Sequence, residues 1–553
     1  MSLQFITGGS GAGKSEYLSR LVCEESVRRP HDNFIVVVPE QYTMETQKKL
    51  VHMHSRKGIL NIDVVSFERL AYKVFEELGG GNRPVLDDTG KNLIVRRVLE
   101  KEKKKLDYFG SSIEKTGFVS ELKSVISELL QYGITPQQLG EIGENVKEKQ
   151  QLSAKLKDIR LVYKEFMAFL STNYITSEEI LDVLCGLVEK SKLIAGSEII
   201  FDGFTGFTPI QYKLMRLLLV YSKGIKISVT IDKKERPTGH ESWNNLFFMS
   251  KEMMNRLIAI CEEEGINVDD TVCVDRDINY RYEGAKDLAY LERNLFRYKG
   301  GVYTGTPENI RIYEGSNPKE ELQYIVSEIL QLTRKEGFRY RDIAVVTADL
   351  ETYGKVAANM MKQNDIPAFL DYKRSVAANP YVEMLCSALE IVEKGYPYDT
   401  MFRYLRTGLT GISRHDIDML ENYCLAVGIR GSRAWHEPWK KKMKRSTYQP
   451  ELETLNALRE QIMAPFLNLE AVLKDKEANV RAYVTAVYEF VTALHSAEQI
   501  KALSECEPAG NEYEQLYAKV LELFDRIVEL LGEENVSLKE FNRIVAAGFE
   551  EMK

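Results

Sequence analysis

Apolar positions along the chain fall into two regimes. Near the amino end, short apolar runs alternate with helical spacing: Leu3-Gln4-Phe5-Ile6, a helix over 14–29, Phe34-Ile35-Val36-Val37-Val38, and Ile62-Asp63-Val64-Val65. Runs with few or no polar breaks predict strands buried on both faces, and helices between them predict a parallel sheet. From Thr89 to about Val188 strand patterning vanishes, and Leu122, Val125, Ile126, Leu129 and Leu130 recur at helical spacing. Thr176-Ser177-Glu178-Glu179 has the pattern of a capping box for the last helix of this stretch. The sheet pattern resumes at Glu198–Asp202 and Ile225–Ile231, followed by a helix over 242–264.

A new α/β pattern begins with a strand at Asn309–Tyr313. A helix with Leu322, Ile325, Val326, Ile329 and Leu330 on one face follows, then a strand at Asp342–Thr347. Beyond about Pro380 the pattern is helical to the end. Gly79–Pro84 and the charged connection from Arg281 to about Thr306 mark boundaries. The fold class expected is α/β, with parallel-sheet domains carrying large helical insertions. Residues 1–80 with 190–290 form one domain, 81–189 a helical insertion, 300–380 a second α/β domain, and 381–553 a helical domain.

Composition narrows the function classes. A chain of 553 residues is too long for one core. Hydrophobic residues at 44% and charged residues at 28% fit a globular protein, and no apolar run is long enough for a membrane span. The start lacks a secretory layout, so a cytoplasmic location is expected. The seven cysteines are scattered without a C-x-x-C pair, which argues against a disulfide framework or zinc site. His52 and His54 read as solvated side chains. With a net charge of -8, contact with nucleic acid must depend on local charge and aromatic rings. The Lys101 to Lys105 cluster reads as a solvated helix face or a phosphate contact. Trp435 and Trp439, near the basic run from Lys440 to Arg445, read as surface packing, or as a partner or DNA contact.

Gly8-Gly9-Ser10-Gly11-Ala12-Gly13-Lys14-Ser15, between a strand and a helix, is a phosphate-binding loop. Its glycines let backbone N–H groups face phosphate, Lys14 reaches phosphate oxygens, and Ser15 ligates magnesium. ATP and Mg2+ are therefore expected. Pro39-Glu40-Gln41-Tyr42-Thr43 follows a strand, at the end where open α/β sheets bind ligands; it equally fits an ordinary turn with Thr43 as helix cap. Phe67, Arg69 and Tyr72 follow the next strand, and Arg69 and Tyr72 share a helix face, which suits a phosphate contact beside a stacking ring. Asp202 ends an apolar strand, as a magnesium-organising aspartate does, and Thr208-Pro209 begins a helix. Gly203 stands where motors commonly carry the water-polarising glutamate.

On these motifs, with Phe204, Phe207 and Tyr340-Arg341-Asp342-Ile343-Ala344-Val345, the chain resembles the AddB-type subunits of bacterial AddAB helicase-nucleases. The resemblance implies a UvrD-like P-loop helicase architecture whose motor has decayed, pairing with an AddA-type partner. It also implies work on single- and double-stranded DNA at double-strand breaks, with recognition of the recombination hotspot Chi. Gln41, Thr43, Phe67, Arg69, Tyr72, Phe204 and Phe207 would lie along the single-strand channel. No room precedes Gly8 for an adenine-binding glutamine motif. Complete members also carry an exonuclease domain with an iron-sulfur cluster; its ligands are not in this chain, which reads as a truncation or fragment. Two rivals remain: an active superfamily-one helicase using Asp232 or Glu235, and a P-loop kinase for a small metabolite.

Overall fold

The computed structural model describes the chain except residues 80–83, 114, 116, 147–148, 236–241, 298–300, 371–375, 377, 444–450, 507–509 and 553. Most of the expected Gly79–Pro84 boundary, and the end of the basic run at 444–445, therefore lie outside the described residues. Two compact units emerge: residues 1–81 with 181–374, and 82–180 with 375–553.

The first unit is built on a seven-stranded sheet. In chain order it contains β1 (Ser2–Gly8), α1 (Lys14–Arg28), β2 (Asn33–Val37), α2 (Thr43–Met53), β3 (Ile62–Val65) and α3 (Phe67–Leu78). After the excursion into the other unit come β4 (Ser197–Phe201), α4 (Pro209–Tyr221), β5 (Gly224–Thr230), α5 (Phe248–Glu264), β6 (Asn267–Val268), β7 (Val272–Cys273) and α6 (Lys286–Asn294). The strand order is β3-β2-β4-β5-β1, with β6 and β7 both on the outer side of β1, and every pairing is parallel. Phe34, Val36 and Val38 pack with Leu18, Val22 and Leu50 from α1 and α2, whereas Ile35 and Val37 face the opposite way and are equally buried. Burial on both faces is why these strands carry no alternating polar positions. The Thr208 cap forms as the sequence predicts, with reciprocal bonds to Gln211 and Pro209 at the first helical position.

The same unit carries α7 (Pro318–Lys335) and α8 (Leu350–Gln363), packed through Leu322, Val326, Ile329, Met360 and Met361. The strands expected at Asn309–Tyr313 and Asp342–Thr347 do not join a ladder. Tyr340–Asp342 forms a short 3-10 turn, and Ile312 and Val346 are 95% and 91% exposed. Apolar pattern alone does not make a strand; it needs a neighbour for its N–H and C=O groups. Ile343 to Thr347 border an open apolar groove of about 920 Å³ together with Pro367 to Leu370.

In the second unit, the helices over 88–173 and those over 380–551 share one core, so the two helical stretches are not separate cores. Asn92 Nδ2 donates to the Ala547 carbonyl at 2.9 Å, and Arg543 pairs with Glu100 at 2.9 Å. The Thr176 box forms: Glu179 accepts from the Thr176 N–H at 2.8 Å, and the Thr176 hydroxyl accepts from the Glu179 N–H at 3.3 Å. Two surface readings change. Trp435 and Trp439 are core residues, 0% and 5% exposed, with their rings tilted against Phe402 and Tyr423 respectively. In the first unit, His54 is buried against the Ser26 hydroxyl at 3.1 Å, whereas His52 stays exposed. No helix among the described residues is long and apolar enough to cross a membrane.

Burial also sorts the thiols. It pushes Cys185 and Cys261 up to about 11 and Cys386 and Cys424 up to about 12, while Cys273 is exposed. Because the thiolate is the reactive form, Cys273 should react with an aromatic disulfide at about pH 8 within minutes. Cys185, Cys261 and Cys424 should react only after urea unfolding, as counted by mass spectrometry of labelled peptides.

Candidate functional site

Parallel strands all end on the same edge of their sheet. The loops after β3, β2, β4, β5 and β1 therefore lie along one rim in that order. The loop after β1 is Gly8–Ser15. Gly11 and Gly13 have φ of +72° and +95°, and Gly13 caps α1 in the left-handed region. A Cβ on Gly11 would stand 2.6 Å from Arg281 Cβ, so both backbone angle and space require glycine there.

Ala12 is buried, Ser10 and Ser15 are exposed, and Lys14 is half-buried. Lys14 Nζ donates to the Gly8 and Gly9 carbonyls at 2.9 and 3.0 Å. Burial lowers its pKa from the ordinary lysine value, against the opposing fields of Asp202 and Asp275. Asp202, at the end of β4, is thus close enough to Lys14 to act on its charge; its Oδ1 accepts from the Ser228 hydroxyl at 2.5 Å. Ser15 and Asp202 have the donor chemistry for a magnesium ion whose remaining ligands would be phosphate oxygens and water. Among the described residues no group of three or more His, Cys, Asp or Glu gathers as a metal site.

The three loops at the far end of the rim carry the rings. Phe67 is 8% exposed and packs edge-on against Phe204 at 5.4 Å and Phe207 at 6.1 Å. It forms the wall of a cluster in which Phe204 and Phe207 are half-buried. Tyr72 and Gln41 are exposed. Ser66 caps α3 by accepting from the Arg69 N–H, and the exposed Arg69 guanidinium pairs with Glu40 at 3.0 Å. Thr43 is buried and is the first residue of α2, not its cap, with its hydroxyl donating to the Glu40 carbonyl at 2.9 Å.

The carboxylates offered by the active-motor reading are occupied. Asp232 and Glu235 both pair with Arg297, at 3.2 and 3.3 Å, and Glu235 also with Lys251 at 2.7 Å. Sequence reasoning missed the segment that covers the phosphate loop. Arg281 N–H donates to the Gly11 carbonyl at 3.3 Å, Asn279 Nδ2 donates to the Ser10 carbonyl at 3.4 Å, and Asp275 and Glu292 lie beside Gly9. No local spacing rule joins residues so far apart in the chain; the run Asn279-Tyr280-Arg281-Tyr282 was the one available signal.

Residues 5–292, just over half of the chain, match the family model for the AddB N-terminal region. The chain belongs to the AddB family. It is 42% identical, over its whole length, to the B-type subunit of the ATP-dependent helicase/deoxyribonuclease of Lachnoclostridium phytofermentans, covering 49% of that protein. Its identity to the proteins of the same name from Clostridium novyi and Caldanaerobacter subterraneus subsp. tengcongensis is 33% and 34%, each over the whole chain and 48% of the relative. The chain thus spans about half the length of the curated relatives it matches.

Within this AddB-family fold, Gly203 has φ of +85°, with Pro39 3.4 Å from the position of a Cβ. Gly203→Glu should therefore destabilise the protein by about 1–2 kcal/mol in urea titrations, the cost of a left-handed non-glycine residue. It should not create DNA-stimulated ATP turnover. Arg69→Ala removes an ion pair whose side chains are 59% and 57% exposed, so it should change stability by less than about 1 kcal/mol. Any larger loss of function in that variant is then not a folding defect.

Proposed function

We propose that this chain supplies the nucleotide- and DNA-binding part of a non-motor AddB-type protein. It binds ATP at Gly8–Ser15 and single-stranded DNA along Gln41, Thr43, Phe67, Arg69, Tyr72, Phe204 and Phe207. The observation that carries the reading is the delivery of the phosphate loop and the ring-bearing loops to one rim by a single parallel sheet. Lys14 and the loop N–H groups would hold the phosphates. Ser15 and Asp202 would hold magnesium, which screens phosphate charge when bound. The half-exposed rings would stack on bases at roughly 1–3 kcal/mol each, which needs no basic surface overall. Gln41 and Arg69 would supply the donors that discriminate between bases, and Thr43 would shape the turn that presents Gln41.

The assignment of Chi recognition, of an AddA-type partner and of exonuclease activity in the complete protein extends this reading through the family. Turnover is not assigned to this chain, because Gly203 has no side chain and Asp232 and Glu235 are held by cations. Removing a water-orienting group costs orders of magnitude in rate.

Two measurements test the reading. MgATP affinity and ATPase rate are measured with and without single-stranded DNA, for the parent chain and Lys14→Ala. Lys14-dependent binding without DNA-stimulated turnover is expected; robust turnover lost in Lys14→Ala would establish an active motor instead. In the complete, reconstituted two-subunit enzyme, Arg69→Ala should abolish the response to Chi while leaving unwinding intact. An unchanged response would remove Arg69 from the recognition site.

A further inference from the structure

The cluster of rings on the rim does not end at Phe207. Phe207 packs edge-on against Tyr212 on α4 at 5.7 Å, and the Arg256 guanidinium on α5 lies 5.2 Å from the centre of the Tyr212 ring. Met249, in the first turn of α5, has its Cε 3.8 Å from the position of a Cβ on Gly206, which stands between Phe204 and Phe207 in the loop after β4. Met249 and Arg256 are seven residues apart, two helical turns, and so share a face of α5. That face therefore meets the aromatic loop and the start of α4 at two points.

The residues that lead into α5 are apolar and yet exposed. Trp243, Leu246 and Met249 are 80%, 48% and 61% exposed. Turns hold this stretch in shape: the Asn245 N–H donates to the Ser242 carbonyl at 2.9 Å, the Phe248 N–H to the Asn245 carbonyl at 3.0 Å, and the Phe247 N–H to Asn245 Oδ1 at 2.8 Å. Phe247 is held beneath Arg297, whose guanidinium is 4.8 Å from the ring centre and pairs with Asp232 and Glu235. The turn that fixes Phe247 against a cation leaves Trp243, Leu246 and Met249 in solvent. Exposed apolar side chains gathered in one short stretch mark a binding surface, because covering them recovers free energy.

We propose that the single-strand surface continues past Phe204 and Phe207 onto the start of α5, with Trp243 stacking on an unpaired base, Met249 as the apolar contact beside Gly206, and Arg256 as the cation for a backbone phosphate. The proposal rests on the strand-binding reading above and adds the loop after β5 to it. The order of the rim supports this path: the loops after β4 and β5 are neighbours, so a strand on the rings of one meets the other before it reaches the phosphate loop. The chemistry suits a nucleotide chain. A flat ring and a thioether offer apolar contact, and the Arg256 ion pair with Glu252 at 2.7 Å lies in solvent, where such pairs yield readily to a phosphate. Stacking on an indole tolerates any base, so Trp243 adds affinity and leaves discrimination to Gln41 and Arg69.

Trp243 carries its own probe. The chain has three tryptophans, and Trp435 and Trp439 are buried in the other unit. Acrylamide should therefore quench the emission of Trp243 and little else. Unlabelled oligothymidylate should lower that emission and shield it from acrylamide, over the same concentrations at which anisotropy of a fluorescein-labelled strand reports binding. Trp243→Ala should weaken binding at least about fivefold, the lower end of what one stacked base contributes, with its urea midpoint unchanged. Trp243→Phe, which keeps a ring, should bind more tightly than Trp243→Ala. A strand that raises the anisotropy but leaves Trp243 emission and acrylamide access unchanged, or equal affinity in the parent chain and Trp243→Ala, would overturn the proposal while the Phe67, Phe204 and Phe207 surface stands. Failure of the parent chain to bind the strand at all would refute the strand-binding reading, and this extension with it.

Discussion

Parallel pairing between β1 and its neighbours is the constraint on which the rest depends. Phe5 opposite Ile227 and Ile6 opposite Ser228 set the register that places Gly8 level with Thr230. That register puts the turn into α1 on the same rim as Asp202 and the aromatic loops. In an antiparallel arrangement alternate loops would fall at opposite ends of the sheet, and Asp202 could not act on Lys14. The parallel sheet also explains the long excursion between β3 and β4: a crossover can leave a sheet and return without disturbing its hydrogen bonds. The chain builds much of a second unit in that gap.

The rim separates two kinds of chemistry. At the β1 end, backbone donors and Lys14 make a seat for an anion, surrounded by carboxylates. At the β3 end lie the rings of Phe67, Phe204 and Phe207 and the exposed side chains of Gln41, Arg69 and Tyr72. Between them, the loop after β5 carries two carboxylates, Asp232 and Glu235, that are both paired with cations. Asp232 and Glu235 neutralise Arg297 and Lys251, of which Lys251 is almost fully buried. Taking Glu235 away would leave the buried Lys251 without part of its compensation, at a cost of several kcal/mol. Their pairing with Arg297 and Lys251 is thus held by electrostatics and stabilises the loop after β5.

What the sequence disclosed follows the range of the interactions involved. The strands of the first sheet, the phosphate loop and the caps at Thr208 and Thr176 depend on residues a few positions apart, and the chain spells them out. His54, Trp435 and Trp439 look like surface residues because their partners lie elsewhere in the chain. The apolar segments at Asn309–Tyr313 and Asp342–Thr347 mislead for the opposite reason. Their pattern states which faces are apolar, but a ladder depends on a neighbour that the pattern does not specify. In the site, Lys14 and Asp202 were legible from motif spacing. Glu292 and Asp275 were not, because nothing local marks a carboxylate that will fold onto a loop near the other end of its unit.

The charge balance of the phosphate loop gives these features a common physical meaning. A loop of inward-facing N–H groups is costly to bury without an acceptor, and Lys14 is drawn onto the loop's own carbonyls at an energetic penalty that lowers its pKa. Glu292 and Asp275, which lie beside Gly9, place negative charge near the lysine and offset that penalty. The loop can therefore keep its shape with no ligand present. A site stabilised in this way need not turn over a nucleotide to be retained by the fold.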